Sequence, residues 1–243
     1  MERKMSDKLY VVIPAYNESA NIKQLIDSWY PIVEKHSGND ESRLVIINDG
    51  SKDDTYELLQ AAEEDHPLLK ALTKPNGGHG STVLFGYRYA IANHADYIFQ
   101  TDSDNQTNPA EFEGFWNLRK EYSAIIGNRA SREDGKQRVF VEKTLLVLLR
   151  LYYGVHVPDS NAPFRLMKTS LVAKYINKLP RNYNLPNVML TTYFAYFHEK
   201  IKFKKVSFIP RQGGVNSINI PKITKIGYHA LGDFYQLKKH IND

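Results

Sequence analysis

Two aspartates one residue apart, Asp102 and Asp104, close an apolar run that begins at Tyr97, and Gln106 follows two positions later. Alternate side chains of an extended chain point the same way, so these three oxygen-bearing groups can converge on one hard cation. A divalent ion held by two or three protein oxygens keeps open positions, and those suit the diphosphate of a nucleotide. The plain alternative is an Asp-rich turn capping a helix that opens near Pro109.

Three further segments have the same build, an apolar run followed by residues with chemistry. Leu9 to Ile13 leads into Pro14-Ala15-Tyr16-Asn17-Glu18, where a flat base could lie against the Tyr16 ring while Glu18 accepts hydrogen bonds from a ribose or base edge. Arg43 to Asn48 leads into Asp49-Gly50-Ser51-Lys52-Asp53, a turn whose glycine permits close backbone approach and whose Asp49 could receive a base N–H. Leu68 to Thr73 leads to Asn76-Gly77-Gly78-His79-Gly80-Ser81, a glycine-rich loop whose backbone N–H groups could cradle a phosphate. That loop matches neither G-x-G-x-x-G nor the P-loop. Taken singly, each segment reads equally as a turn or a helix cap. Together they acquire weight only if the fold brings them to one edge.

The intervening elements predict that it does. Helical spacing of Ile22, Leu25, Ile26 and Trp29 marks a helix from Ser19, acting as cap, to about Lys35. Further helices are expected over Asp53 to Asp65 and Ser81 to Asn93, with a fourth strand over Asp96 to Thr101. Regular βα alternation implies an α/β fold with a parallel, doubly wound sheet that binds ligands beyond the carboxyl ends of its strands. After Pro109 come another helix, a strand at Ala124 to Gly127, an apolar helix from about Val139 and a less regular basic remainder. No repeat or Pro/Gly linker marks a second domain.

Composition narrows the function classes. The chain has 243 residues, 42% hydrophobic, with sixteen tyrosines and eleven phenylalanines, which is a globular rather than a disordered composition. With no cysteine, disulfides and thiolate metal sites are impossible. The first eight residues lack the apolar core of a signal peptide, so a cytoplasmic location is expected. The run Thr144 to Val157 is broken by Arg150 and falls short of the roughly 20 residues a spanning helix needs. Residues 1–135 carry 14 Lys and Arg against 22 Asp and Glu, whereas residues 136–243 carry 18 against 5. The basic second half suggests contact with phosphates or an anionic surface, unless its lysines are solvated and Lys200 to Lys205 is an alternating edge strand. Nucleic acid is the less favoured polyanion, because aromatics are not interleaved with the basic residues.

The set Pro14 to Glu18, Asn48 to Ser51 with Asp53, Asn76 to Gly80 and Asp102-Ser103-Asp104 resembles the successive motifs of family 2 glycosyltransferases of GT-A fold. The spacing Asp102-x-Asp104-x-Gln106 is most similar to the polyprenyl-phosphate branch, typified by dolichol-phosphate mannosyltransferase and bacterial undecaprenyl-phosphate glucosyltransferases. The resemblance spans roughly residues 8 to 217. It implies a single GT-A domain over 8–220, with a nucleotide-binding half (8–108) and an acceptor-binding half (109–220), between an N-terminal tail (1–7) and a C-terminal amphipathic helix (221–243). It further implies a nucleotide-sugar site of Pro14, Tyr16, Glu18, Asp49, Gly77, Asp102, Ser103 and Asp104, and Mg2+ or Mn2+ on Asp102, Asp104 and Gln106. Asp159, with Phe164 and Arg165, resembles the family's acidic and Phe-Arg segment. Arg211, with Gly214 and Ser217, resembles the stretch that closes near the donor phosphates. Asp159 and Arg211 are therefore the candidate catalytic residues.

Departures from the family pattern bear on the substrates. Asn48 stands where many members carry an acidic residue, which leaves UDP and GDP both open. No Glu-Asp pair, the base that members with hydroxyl acceptors often carry, occurs in residues 136–243, although Glu133-Asp134 stands just before them. A lipid phosphate needs no base, being already anionic, and Arg129, Arg138 and Lys143 could bind one, although they could equally be a solvated helix face. The expectation is a metal-dependent, inverting transfer of a hexose from UDP- or GDP-hexose to polyprenyl phosphate, at a membrane surface or with a membrane-protein partner on the cytoplasmic face. Transfer to a hydroxyl of a surface polysaccharide or glycolipid is the alternative. A pyrophosphorylase would carry a basic glycine-rich loop after the first strand, and a non-catalytic binding module would have lost a metal ligand.

Overall fold

A computed structural model describes residues 7–38, 41–129, 136–209 and 232–241, with residues 136–140 described as backbone only. Seven strands form one sheet: β1 (Leu9–Ala15), β2 (Arg43–Asn48), β3 (Leu69–Thr73), β4 (Tyr97–Gln100), β5 (Ala124–Asn128), β6 (Arg165–Lys168) and β7 (Ile201–Lys205). Their spatial order is β3-β2-β1-β4-β6-β5-β7. Among the described strands only β6 runs antiparallel to its neighbours, β4 and β5. The sheet is therefore mostly parallel, in agreement with the α/β expectation.

Alternation along the strands builds two cores. Leu9, Val11 and Ile13 face one side, with α1 (Ser19–Lys35), α2 (Thr55–Asp65) and α4 (Phe112–Trp116) packed there around Trp29, Phe99 and Phe112. Tyr10 and Val12 face the other, against α3 (His79–Ala92), α5 (Lys136–Tyr153), α6 (Thr169–Ile176) and α7 (Pro186–Tyr196). Period-2 burial on a sheet covered on both faces is the doubly wound arrangement.

Several boundaries differ from the sequence reading for identifiable reasons. β1 continues through Pro14 to Ala15, because its pairing with β4 stops at Val12 and beyond that only β2 flanks it. A proline is tolerated where one side of a strand has no neighbour. Ser19 does not cap α1. Its own N–H is the donor, to Asp53 Oδ2 at 3.1 Å, and the Glu18 N–H donates to Thr55 Oγ1 at 2.9 Å. The loop after β2 thus caps the helix after β1. The helix expected near Pro109 is a 3-10 turn, Pro109–Glu111, running into the short α4. β7 is an edge strand, so its lysines guard an open edge. Of the expected C-terminal helix, residues 232–239 are described and are helical.

Candidate functional site

The carboxyl ends of β1, β2 and β4 and the start of α3 carry loops joined by a continuous chain of hydrogen bonds. The Asn17 N–H donates to Ser51 Oγ and the Lys52 N–H to Asn17 Oδ1, which ties the first loop to the second. Asp49 ties the second loop to the third: its Oδ1 accepts from the Gly77 N–H and its Oδ2 from the Gly78 N–H, each at 2.9 Å. His79 Nε2 lies 2.9 Å from Asp102 Oδ1, which joins the third loop to the fourth. Gln106 Nε2 donates to Ile209 O at 2.9 Å and brings in the segment after β7. All four sequence motifs therefore meet at one edge of one sheet.

Their roles within the cluster differ from the simplest expectation. Asp49 is 3% exposed and also pairs with Lys74 Nζ, so it is the post that organises the glycine-rich loop. The N–H groups of Gly77 and Gly78 turn inward to this carboxylate rather than lying open for a phosphate. Gly50, at φ 64°, lies so close to Asn76 that a Cβ would sit 2.8 Å from its backbone nitrogen. Glu18 is buried, with its Oε2 accepting from Asn21 Nδ2 at 2.5 Å, while Tyr16 stays half-buried beside it.

Asp102 is the open end of the cluster. Its Oδ1 receives two donors, His79 Nε2 and Gln100 Nε2 at 3.1 Å, and among the described residues no hydrogen bond reaches Oδ2. Burial works against its charged form, but His79, then Arg129 and Arg165, outweigh that and hold the carboxyl below its usual range. His79 shows the reciprocal effect: burial disfavours its cation, but Asp102, Asp104 and Asp49 raise it. An ionised carboxylate with one oxygen unclaimed fits a divalent cation. Asp104 Oδ1 accepts from the Gln106 N–H at 3.2 Å, and the Gln106 anchor to Ile209 leaves its amide oxygen as the end suited to a cation. Among the described residues no three His, Asp or Glu side chains gather at one point, so the donors here form an incomplete shell.

Arg129 and Asp159, expected on separate duties, form one pair. Arg129 Nε and Nη2 donate to Asp159 Oδ2 and Oδ1 at 2.7 and 2.9 Å, and the Asn161 N–H adds a third donor at 3.0 Å. The guanidinium also lies 5.4 Å from the centre of the Phe208 ring. Asp159 thus engages two of the three guanidinium nitrogens of Arg129. Lys143 is exposed on α5, and the Arg138 side chain, Arg211, Gly214 and Ser217 lie outside the described residues. No spacing or motif singles out Lys74, His79, Gln100 or Asn187. His79 stands in a loop whose backbone alone draws attention in the sequence.

Residues 10–179 match the model of a family described as glycosyl transferase family 2. The chain belongs to that family. Among curated relatives of this family 2 chain is the undecaprenyl-phosphate 4-deoxy-4-formamido-L-arabinose transferase of Pectobacterium atrosepticum, 25% identical over 91% of the chain and 65% of the relative. A dolichyl-phosphate beta-glucosyltransferase of Trichomonas vaginalis, ALG5C, is 28% identical over 64% of the chain and 50% of its own length. The chain thus spans about half to two thirds of the curated relatives it matches. Glucosyl-3-phosphoglycerate synthase from Mycobacterium tuberculosis, solved with Mn2+ and uridine-diphosphate-glucose, superposes with a TM-score of 0.69 at 17% identity, over 96% of this chain and 79% of that one. TarS 1-349 of S. aureus, solved with UDP-GlcNAc, gives 0.59 at 19% identity, over 95% and 64%. The family 2 assignment and the GT-A fold of these neighbours agree with the motifs at the strand ends.

Proposed function

We propose that this chain transfers a hexose from a nucleoside-diphosphate sugar to a polyprenyl phosphate, with inversion at the anomeric carbon and with Mg2+ or Mn2+ as cofactor. The observation that carries the reading is Asp102, ionised and with Oδ2 unclaimed, at the open end of the hydrogen-bond chain that joins the four strand-end loops. The two relatives named for undecaprenyl-phosphate and dolichyl-phosphate transfer support the acceptor class. The neighbours solved with UDP-sugars support the donor class.

In this reading Tyr16 and the loop organised by Asp49 receive the base and ribose. Asp102, Asp104 and the Gln106 amide oxygen hold the cation, which would neutralise charge on the departing diphosphate. Arg211 supplies a further positive charge to the same group. Asp159, immobilised by Arg129, orients the sugar or acceptor. An anionic phosphate oxygen needs only to be placed in line with C1, so no protein base is required.

A hydroxyl acceptor would need a base, and Asp159 is the candidate. Its engagement by two guanidinium nitrogens and a backbone N–H disfavours that role, since a carboxylate so stabilised is a weak proton acceptor. Among the described residues no helix is long and apolar enough to cross a membrane. Access to a lipid acceptor through a membrane surface or a membrane-protein partner is part of this proposal.

The test is transfer by the purified chain from UDP-glucose, UDP-GlcNAc or GDP-mannose to undecaprenyl phosphate in detergent, with Mg2+, Mn2+ or EDTA. Formation of a glycosylated lipid phosphate from one donor, lost with EDTA, is expected. Transfer to the dephosphorylated polyprenol or to an oligosaccharide, but not to the phosphate, would replace this reading by the hydroxyl-acceptor one.

A further inference from the structure

Beneath Asp102 lies a run of fully buried polar side chains drawn from four elements. Tyr87 of α3 donates its hydroxyl to Asn187 Oδ1 at 3.1 Å, and Asn187 Nδ2, in the first turn of α7, donates to Gln100 Oε1 at 2.9 Å. Gln100, at the end of β4, passes the direction on by donating from Nε2 to Asp102 Oδ1 at 3.1 Å. Asn187 is itself fixed from behind, since its backbone oxygen accepts from Thr191 Oγ1 at 2.8 Å and from Arg165 Nη1 of β6 at 3.2 Å. Tyr87, Gln100, Arg165 and Thr191 have no exposed surface, and Asn187 is 2% exposed.

The direction of this chain matters more than its presence. Every side-chain donor from Tyr87 to Gln100 points toward the carboxylate, which when ionised can only accept. Because Asp102 can only accept, Gln100 must present its amide N–H to it and its oxygen to Asn187, whose own oxygen then accepts from the Tyr87 hydroxyl, a phenol that burial keeps protonated. Apolar side chains in place of Gln100 and Asn187 would leave the buried Tyr87 hydroxyl and Asp102 Oδ1 without these partners. The two amides accomplish what an apolar pair could not, which is to fix Oδ1 from below while His79 holds it from the side. With Oδ1 so held, rotation of the carboxylate is arrested and Oδ2 keeps one orientation.

We propose that Gln100 and Asn187 are positioning residues that set the Asp102 carboxylate for its cation, so that α7, in the half expected to bind acceptor, governs the affinity of the donor half for metal. The inference rests on the reading of Asp102 as a cation ligand.

The test is titration of Mn2+ alone into the purified chain, followed by the loss of the free-ion EPR signal. Asn187→Ala and Gln100→Leu are each expected to weaken Mn2+ binding about tenfold or more, in line with residues that orient metal ligands from behind. Thr192→Val is the control for lost stability: Thr192 is buried on the same helix, and its hydroxyl bonds to Val188 O within it. Its Mn2+ affinity is expected to match wild type even if its thermal midpoint falls. Wild-type Mn2+ affinity in a folded Asn187→Ala protein, or equal weakening in Thr192→Val, would overturn the proposal. Should Asn187→Ala fail to fold, Gln100→Leu decides by the same criteria. Asp102→Asn separates the two levels: if it binds Mn2+ as wild type does, the cation reading of Asp102 itself falls.

Discussion

Arg129 and Asp159 meet in a two-pronged ion pair, Nε to Oδ2 at 2.7 Å and Nη2 to Oδ1 at 2.9 Å, with the carboxylate residue only 1% exposed. The pair joins the loop after β5 to the segment leading into β6, the antiparallel strand that closes the second half onto β4. Removing one partner strands a buried charge. Arg129→Ala is therefore expected to destabilise the protein by about 3–5 kcal/mol, and Arg129→Lys, which keeps the charge but not the fork, by less. Urea denaturation of the two variants checks the order. Equal midpoints for Arg129→Ala and wild type would show that the pair carries no structural load.

Asp104 sits in the loop between β4 and the 3-10 turn, partly exposed, and accepts from a backbone N–H two residues on. Asp104→Asn preserves shape and an acceptor oxygen but removes the charge a cation needs. Turnover is expected to fall by about 10²–10³, while stability stays within about 0.5 kcal/mol of wild type. Parallel rate and thermal-melt measurements check both halves, and a wild-type rate would remove Asp104 from the site.

Gly80 is the second residue of α3, and a Cβ there would stand 2.4 Å from the backbone oxygens of Tyr183 and Asn184. Backbone cannot yield as a flexible side chain does, so Gly80→Ala must push the start of α3 away from the segment before α7. A cost of about 1–3 kcal/mol is expected from overpacking. Because His79 is the preceding residue, weaker Mn2+ binding should accompany it. A melt and an Mn2+ titration of the same variant test whether the two losses occur together.

The four loops were legible because each strand ends where an apolar run meets Asp, Asn, Gly or Tyr, and a parallel sheet gathers such ends on one edge. The second half was less so. β6 is four residues long and starts with a buried arginine, and nine of the eleven residues of α7 are buried, which erases the helical period that would have marked it. Partnerships across the fold left no trace in spacing. Asp159 with Arg129, and Gln100 with Asn187 across 87 positions, become visible only when β4, β6 and α7 are packed together. The Asp49 loop was recognisable but its internal pairing was not, because sequence shows a candidate acceptor without showing that Lys74, Gly77 and Gly78 donate to it.

Asp7 binds Arg119 Nε at 2.7 Å and Lys120 Nζ at 2.6 Å, fastening the segment before β1 to the segment after α4. Burial works against its charge, but Lys120 and then Arg119 outweigh it, so the folded carboxyl titrates below its ordinary value. A depressed folded pKa gives stability that is complete above the unfolded value, about 3.9, and is lost as pH falls through the folded one. Asp7→Asn should therefore lower stability at neutral pH by at most about 1 kcal/mol, the pair being partly exposed, and the difference from wild type should shrink as pH falls through the depressed folded value. Urea midpoints against pH test this, and a constant difference between the two proteins at all pH values would contradict it.

The two faces of α5 differ in what they bury and expose. Leu149 and Tyr153 are buried against the sheet, with Leu145 and Leu148 partly buried beside them. Val147 and Leu151, by contrast, are 56% and 73% exposed. Lys143, Val147, Arg150 and Leu151 fall within about 100° of one another around a 3.6-residue helix, and Lys143 and Arg150 are exposed as well. An outward arc of two apolar side chains and two cations, with no carboxylate among them, has the composition of a helix that lies against anionic lipid. If the acceptor is a lipid phosphate, Val147→Glu with Leu151→Glu should reduce sedimentation with phosphatidylglycerol vesicles by tenfold or more, since each apolar side chain withdrawn from the lipid and each charge set against it is worth about 1 kcal/mol. Transfer to a detergent-dispersed acceptor should be retained. Loss of transfer in detergent as well would mean that this face packs against the protein's own acceptor site, and unchanged sedimentation would mean that lipid is met elsewhere on the molecule.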